Sequence, residues 1–412
     1  MSFDINKTRD DFPILEKRIH DKKLVYLDSA ASAQKPSSVI NSMKKFQEEE
    51  YANVHRGIHY LSNLATDQYE FSRKKVKDFI NADSESEIIF TMGATDAINL
   101  VAQSLSNDYF NPGDEIILTI MEHHSNIVPW HFLREKCGVN IKWIDCDDNG
   151  VVKVEDFVST ISDKTKLISI TQMSNVLGSE IPLKEIISIA HDKNIRVLVD
   201  GCQGIAHLDT DVKDLNCDYY VFSGHKLYGP TGVGVLYGKY DLLESMYPWR
   251  GGGEMIQEVF KDQVTYSKPP AKFEAGTPNI VQAVGLGAAI DYFVEKKKQG
   301  LFDYEEEIAK YFHNEINKLT KVKVYGEKNI KSPMFSFTVD GSHPHDIATI
   351  IDKEGVAIRA GQHCTQPLLD FFNLSSTARA SIGMYTNKND IDIFIKALNK
   401  AISFFDLIRT KA

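Results

Sequence analysis

Cysteine is scarce in this chain: among 412 residues only Cys137, Cys146, Cys202, Cys217 and Cys364 occur. The set is odd in number and holds no Cys-x-x-Cys pair, which argues against a disulfide framework or a structural zinc site. A reducing compartment follows, and the cytoplasm is the expected location. Long apolar runs are missing as well. None approaches the roughly 20 residues that span a bilayer. The opening Met-Ser-Phe-Asp-Ile-Asn-Lys lacks the apolar stretch of a secretory signal, so a soluble protein with no membrane partner is expected. Nor is there an excess of basic charge, since 47 Lys and Arg against 57 Asp and Glu leave a formal charge of −10. Nucleic-acid binding runs on lysine and arginine against phosphate, and none is expected here. Clusters such as Lys296-Lys297-Lys298 are short, sit beside acids and read as a solvated helix end.

What is present is an ordinary globular composition, 42% hydrophobic and 25% charged, on a chain long enough for two domains and large cores. From about residue 85 to 240, short β-rich runs alternate with helical patterns. Strands are expected at 87–91, 115–119, 166–170, 195–199, 219–222 and 233–237, with helices at 94–105, 127–136 and 182–191 between them. Continuous apolar strands with intervening helices indicate an α/β fold whose mostly parallel sheet is covered on both faces. A Gly/Pro-rich stretch and a long helix at 279–299 follow. Beyond residue 300 the pattern changes: strands at 321–325, 334–339, 356–360 and 378–381 with flanking helices, the last starting near 387, describe a smaller α+β domain.

One run stands out in this frame. Ser223-Gly224-His225-Lys226 comes just after an apolar strand, and Lys226 is 26 residues beyond Asp200, which closes another strand. A lysine amine can form a Schiff base with an aldehyde cofactor. A carboxylate from a neighbouring strand end can keep that cofactor's ring nitrogen protonated. Ser223 and His225 can donate hydrogen bonds to a phosphate. Gly229-Pro230-Thr231-Gly232 fixes the backbone immediately afterwards. The arrangement points to pyridoxal 5′-phosphate.

Ligands of an open parallel sheet gather at the carboxyl ends of its strands, and several strand ends here carry usable chemistry. In Thr91-Met92-Gly93-Ala94-Thr95, small residues at a helix start let backbone N–H groups approach a phosphate, with Ala94 and Thr95 nearest. Such a glycine serves geometry alone equally well. His123, in Met121-Glu122-His123-His124-Ser125-Asn126, can lie over an aromatic cofactor and act as acid or base; a His pair can also be structural or half of a metal site. Asn175 ends another strand as a hydrogen-bond donor. Gln203 follows Asp200 by three residues.

A second constellation lies in the smaller domain. An arginine fork binds carboxylate bidentately, and Arg379, alone among small residues in Ala378-Arg379-Ala380-Ser381, suits a substrate carboxylate or an ordinary ion pair. Cys364 closes Arg359-Ala360-Gly361-Gln362-His363-Cys364, a polar loop in which a thiolate is favoured. Core packing is the expected role of the other cysteines, with Cys202, two residues past Asp200, the hardest to set aside.

Together these motifs resemble the cysteine desulfurases, in particular the Suf-type, group II branch of the class V aminotransferase-like family, over nearly the whole chain. Asp11-Phe12-Pro13, Tyr26-Leu27-Asp28-Ser29-Ala30-Ala31, Val54-His55-Arg56-Gly57 and Asp200-Gly201-Cys202-Gln203 carry the likeness beside the runs already quoted. The resemblance implies the aspartate-aminotransferase-like fold of pyridoxal-phosphate enzymes. It implies a large cofactor-binding domain over 15–295 and a small domain from 1–14 and 296–412. It gives Lys226 the cofactor and the Cα proton, Asp200 the pyridinium, His123 the ring face and Gln203 the ring hydroxyl. Thr95, Ser223 and His225 take the phosphate, with Thr277 reaching the phosphate of a partner subunit in a homodimer. Arg379 and Asn175 take the substrate carboxylate, Arg359 places the cysteine loop, and Ala31, His55 and Arg56 belong to the substrate site. No metal is implied. The family commonly shows two histidines before the catalytic cysteine; here the first is Gln362, which cannot carry a proton.

The implied reaction converts L-cysteine to L-alanine and leaves a persulfide on Cys364. That sulfur would pass to a SufE- or SufU-like acceptor protein and on to iron–sulfur cluster assembly. A selenocysteine lyase acting on L-selenocysteine, or an aminotransferase, would share Lys226 and Asp200. A non-catalytic sulfur carrier, and a zinc protein using His343, His345 and Cys364, are further alternatives.

Overall fold

The computed structural model describes residues 3–326 and 332–409. Its centre is a seven-stranded sheet running, edge to edge, Ile88–Thr91, Gly234–Gly238, Tyr219–Ser223, Arg196–Asp200, Thr165–Thr171, Glu115–Thr119 and Asn140–Ile144. All neighbours are parallel except at Gly234–Gly238, which is antiparallel to both of its partners. Alternate residues of a strand face opposite sides, and the apolar core divides accordingly. Ile117, Ile168, Val197, Val199 and Phe222 pack on one face with the helices Tyr60–Phe79, Leu183–Asp192 and Ile280–Lys298. Ile116, Leu118, Leu198 and Val221 pack on the other, with Ala94–Leu105 and Val128–Cys137. Each such side chain fully buried stabilises the fold by about 1.5–3 kcal/mol.

The smaller sheet is antiparallel, in the order Val322–Tyr325, Met334–Val339, Thr377–Ser381, Arg359–Gly361. The helices Leu301–Ile316, Pro344–Asp352 and Lys388–Arg409 cover it, around a core in which Phe312 stacks on Phe335 at 4.1 Å. Val25 and Leu27 also pack in this core, because Val25–Tyr26 pairs in parallel with Val356–Ala357.

Three sequence expectations change. The single strand expected at 356–360 is two, since Val356–Ala357 pairs with Val25–Tyr26 while Arg359–Gly361 turns to pair with Thr377–Ser381. Asn140–Ile144 is an additional edge strand, largely exposed and therefore without an apolar run. The helix Tyr60–Phe79 is also additional. Its buried face includes Ser62, Ser72 and Arg73, which breaks the apolar periodicity that marks a helix. No helix among the described residues is long and apolar enough to cross a membrane.

Candidate active site

A cleft of about 320 Å³, within the range of small-molecule sites, opens where the carboxyl ends of the parallel strands meet the smaller sheet. Its floor is built by close backbone approach. Ala94 N donates to Ser223 Oγ at 2.8 Å, which ties the start of the helix Ala94–Leu105 to the end of Tyr219–Ser223. A side chain at Gly234 would collide with the backbone of Gly93, so glycine is required for that approach. After Ser223 the chain makes a tight turn over Gly224–Lys226, which puts the Lys226 side chain into the cleft. No hydrogen bond or ion pair engages its amine among the described residues.

Asp200 is 3% exposed and accepts from Cys202 N at 3.0 Å. Burial pushes the Cys202 thiol up to about 12, assisted by Asp200, so this cysteine lines the cleft as a neutral thiol. Burial, and then the positive charge of Lys226, lower His123 to about 4. Its Nδ1 lies 2.8 Å from Ser125 Oγ and accepts from Ser125 N at 3.1 Å, which fixes the ring from beneath. His225 is likewise held at about 4 by burial and Lys226. A helix start, a hydroxyl, an uncommitted amine and a buried carboxylate in one cleft form a donor set that fits a phosphorylated pyridine aldehyde.

The wall opposite belongs to the smaller sheet. The strand register sets Arg359 directly across from Arg379, and like charges so placed repel. Asp28 relieves the clash. It accepts from Arg359 Nε at 3.1 Å and Nη2 at 2.8 Å and lies 3.6 Å from Arg379 Nη2. Arg379 is 2% exposed, donates through Nη1 to Asn175 O at 2.6 Å, and leaves its buried Nε unpartnered. Burial lowers this guanidinium to about 10 despite Asp28. A buried, undersatisfied arginine fork is suited to a carboxylate ligand.

Cys364 is exposed at the top of a tight turn over residues 362–365, closed by Thr365 N donating to Gln362 O at 3.0 Å. Both central residues are left-handed, His363 at φ 54° and Cys364 at φ 55°. That conformation costs about 1–2 kcal/mol for each non-glycine residue. Asn175 holds the turn: its Nδ2 donates to His363 O at 2.8 Å, and its Oδ1 accepts from Thr365 Oγ1 at 3.1 Å. The Asn175 amide thus supports the cysteine turn, a contact beyond the carboxylate role expected from sequence. His363 is 7% exposed, bonded through Nε2 to Thr377 Oγ1 at 2.9 Å, and held at about 3 by burial and Arg379.

Ala31 and Thr95 join the residues above in lining the cleft. Gln203 lies buried beside it and donates to Ala30 O at 2.9 Å. Three expected site residues are elsewhere in this chain. His55 meets Glu70 at 2.8 Å, Arg56 meets Glu254 at 3.1 Å, and Thr277 lines a separate hollow with Met92, Asp96 and Arg250. Sequence reasoning gave no role to Asp28, although an acid set between an apolar pair and small residues was the available signal. His343 and His345 stack on each other at 5.3 Å, and among the described residues no three His, Cys, Asp or Glu side chains gather as a metal site.

The model of the aminotransferase class-V family matches residues 25–394. A probable cysteine desulfurase from Synechocystis sp. is 46% identical over 400 residues, covering 96% of this chain and 95% of that protein. A cysteine desulfurase from Serratia proteamaculans is 44% identical, covering 97% and 98%. Among solved structures, the Escherichia coli cysteine desulfurase CsdA in its S-sulfonic acid form superposes with a TM-score of 0.91 at 37% identity, over 98% of this chain and 100% of that one.

Proposed function

Because the chain belongs to the aminotransferase class-V family, we propose that it is a pyridoxal 5′-phosphate-dependent cysteine desulfurase of the Suf type. The observation that carries this reading is the exposed Cys364, presented on a strained turn to the same cleft that holds Lys226 and Asp200.

Lys226 would hold the cofactor through its aldehyde carbon, Asp200 would face the ring nitrogen, and His123 would lie on the ring with Gln203 close by. Ala94, Thr95, Ser223 and His225 would take the phosphate. When bound, the cofactor supplies a sink for the electron pair left at the substrate's Cα. Arg379 binds the cysteine carboxylate through the fork whose Nε is unpartnered, with Asn175 beside it, and Arg359 holds Asp28 in place. Ala31 borders the substrate. The Lys226 amine takes the Cα proton and can return it. The Cys364 thiolate attacks the substrate sulfur, forming an S–S bond as the Cβ–S bond breaks. The electron pair goes to carbon, which takes a proton. L-Cysteine and the Cys364 thiol therefore become L-alanine and a Cys364 persulfide.

The reading extends to partners. The exposure of Cys364 supports delivery of the sulfur to a SufE- or SufU-like acceptor, and from there to iron–sulfur cluster assembly in the cytoplasm. Exposed Ile58, Tyr60 and Met92 supply apolar surface for a second copy. In such a homodimer Thr277, His55 and Arg56 would reach the partner's cleft. The two-domain division at 15–295 belongs to the same reading. The test is to incubate the purified protein with L-cysteine, quantify alanine and measure added sulfur on Cys364 by mass spectrometry. Cys364→Ser should keep the cofactor's visible absorbance and lose both products; undiminished turnover in that variant would overturn the assignment.

A further inference from the structure

We propose that His124 is a positioning residue: it latches the Cys364 turn to the larger domain and thereby sets where the nucleophilic sulfur sits. The consequence for turnover rests on the desulfurase reading; the latch itself does not.

The turn cannot hold its shape from its own sequence. Two consecutive central residues at positive φ mark a type I′ turn, which asparagine and glycine favour. Here they are His363 and Cys364. Contacts from outside must therefore keep the turn in place. Asn175 supplies one set, on the His363 side. The cysteine side depends on His124. Its backbone N–H donates to Cys364 O at 2.6 Å, and its ring Nε2 accepts from Gln366 N at 3.1 Å. The two bonds run in opposite directions between one residue and the chain at the sulfur-bearing position and two residues beyond it. Together they fix orientation as well as distance. Because Gln366 N donates, Nε2 carries no proton, and burial, which lowers the His124 pKa, favours that neutral ring.

The anchor is itself rigid. His124 opens the short turn His124–Asn126, under which lies a closed polar network. Asn126 donates to Glu122 Oε2 at 2.7 Å and accepts from Trp130 Nε1 at 3.0 Å and Ser169 Oγ at 2.5 Å. Glu122 is fully buried and also accepts from Thr119 Oγ1 at 2.6 Å. His123 is the preceding residue on the same segment. One dipeptide thus indexes the sulfur of the smaller domain to the floor of the larger one. Fully satisfied buried networks of this kind specify a single arrangement.

The test uses the holoenzyme with His124→Ala, which removes the ring acceptor, and His124→Gln, whose side-chain oxygen can stand near the position of Nε2. Neither change removes a main-chain bond of the His124–Asn126 turn. Amide hydrogen exchange over residues 362–368 and the rate of Cys364 alkylation by iodoacetamide are measured without substrate. Alanine formation is then followed against L-cysteine concentration. Loss of one hydrogen bond should speed exchange at Gln366 about tenfold in His124→Ala. Alkylation should change with it. The kcat should fall by about as much at an unchanged KM and cofactor absorbance, with His124→Gln restoring most of both. Unchanged exchange in His124→Ala, or a His124→Gln variant no better than His124→Ala, would overturn the latch. If exchange responds as expected but the wild-type protein yields no alanine, the latch stands and the desulfurase reading falls.

Discussion

Replacing Arg73 by methionine should lower the thermal midpoint of this protein by about 4–5 °C. Arg73 lies in the helix Tyr60–Phe79 and is 1% exposed. Its guanidinium donates to Glu274 at 2.6 and 2.9 Å, to Ile88 O at 2.7 Å and to Glu70 at 2.8 Å, above the ring of Phe90 at 4.7 Å. Glu274 in turn accepts from Tyr69 OH at 3.0 Å and Phe90 N at 2.7 Å. Methionine keeps the apolar stem and removes the charge, which leaves the Glu274 side chain, 7% exposed, buried without its cation. Breaking a buried pair by removing one partner costs about 3–5 kcal/mol. The Glu70 contact adds little, since that side chain is 41% exposed and solvent screens it. A chain of this length gains about 0.9 kcal/mol/K of unfolding entropy, so a loss of about 4 kcal/mol gives the stated shift.

Calorimetry on Arg73→Met, Glu274→Gln and the double variant tests the argument. If the cost is the stranded carboxylate, the double variant is no less stable than Arg73→Met alone. A midpoint shift under about 1 °C in Arg73→Met, or strictly additive losses in the double variant, would refute the reasoning. The cluster has a functional side as well. Glu70 binds His55, and Glu274 stands three residues before Thr277. Two segments proposed to face a second copy are thus braced by one buried guanidinium.

Arg379→Lys should raise the KM for L-cysteine about 10–100-fold with a smaller effect on kcat, because one amine replaces a fork whose Nε is unpartnered. Steady-state kinetics decide it, and an unchanged KM removes the carboxylate role. Burial holds His123 and His225 at about 4 and His363 at about 3, below the ordinary histidine value. The unfolded chain therefore takes up protons that the folded chain resists. Their contribution to stability is complete above about pH 6.5 and declines as pH falls through about 4 for His123 and His225 and about 3 for His363. NMR titration should leave all three rings neutral between about pH 5.5 and 8; protonation of any of them in that window contradicts the burial argument.

Much of the fold was legible because its central strands are continuous apolar runs bounded by turn residues. The strands Glu115–Thr119 and Met334–Val339 and the helix Ala94–Leu105 occupy the residues expected from sequence. The site was legible to the extent that chemistry sits at strand ends, a local signal: Thr95, His123, Asn175, Asp200 and Lys226 all follow such ends and line one cleft. What was not legible depends on distant partners. Asp28 acquires its role from Arg359, 331 residues away in sequence, and His124 from Gln366, 242 residues away. No periodicity or spacing records such a pairing. The split of 356–361 into two strands is of the same kind, since the break lies where the chain changes partners.

The distribution of charge in the cleft carries one further consequence. The chain as a whole is acidic, at −10, yet the cleft collects Lys226, Arg359 and Arg379 against Asp200 and the adjacent Asp28. Its histidines add nothing to that balance near neutrality, because burial keeps His123, His225 and His363 uncharged. Arg359 and Arg379 keep their charge across the neutral range, and low-dielectric walls concentrate their field. A phosphate and a carboxylate are the ligands such a field favours, and salt should weaken the encounter more than pH does. The register that opposes Arg359 to Arg379 is costly for the sheet by itself. It becomes favourable once Asp28 and an anionic ligand offset the two guanidinium charges, so ligand binding should stabilise the pairing of Arg359–Gly361 with Thr377–Ser381.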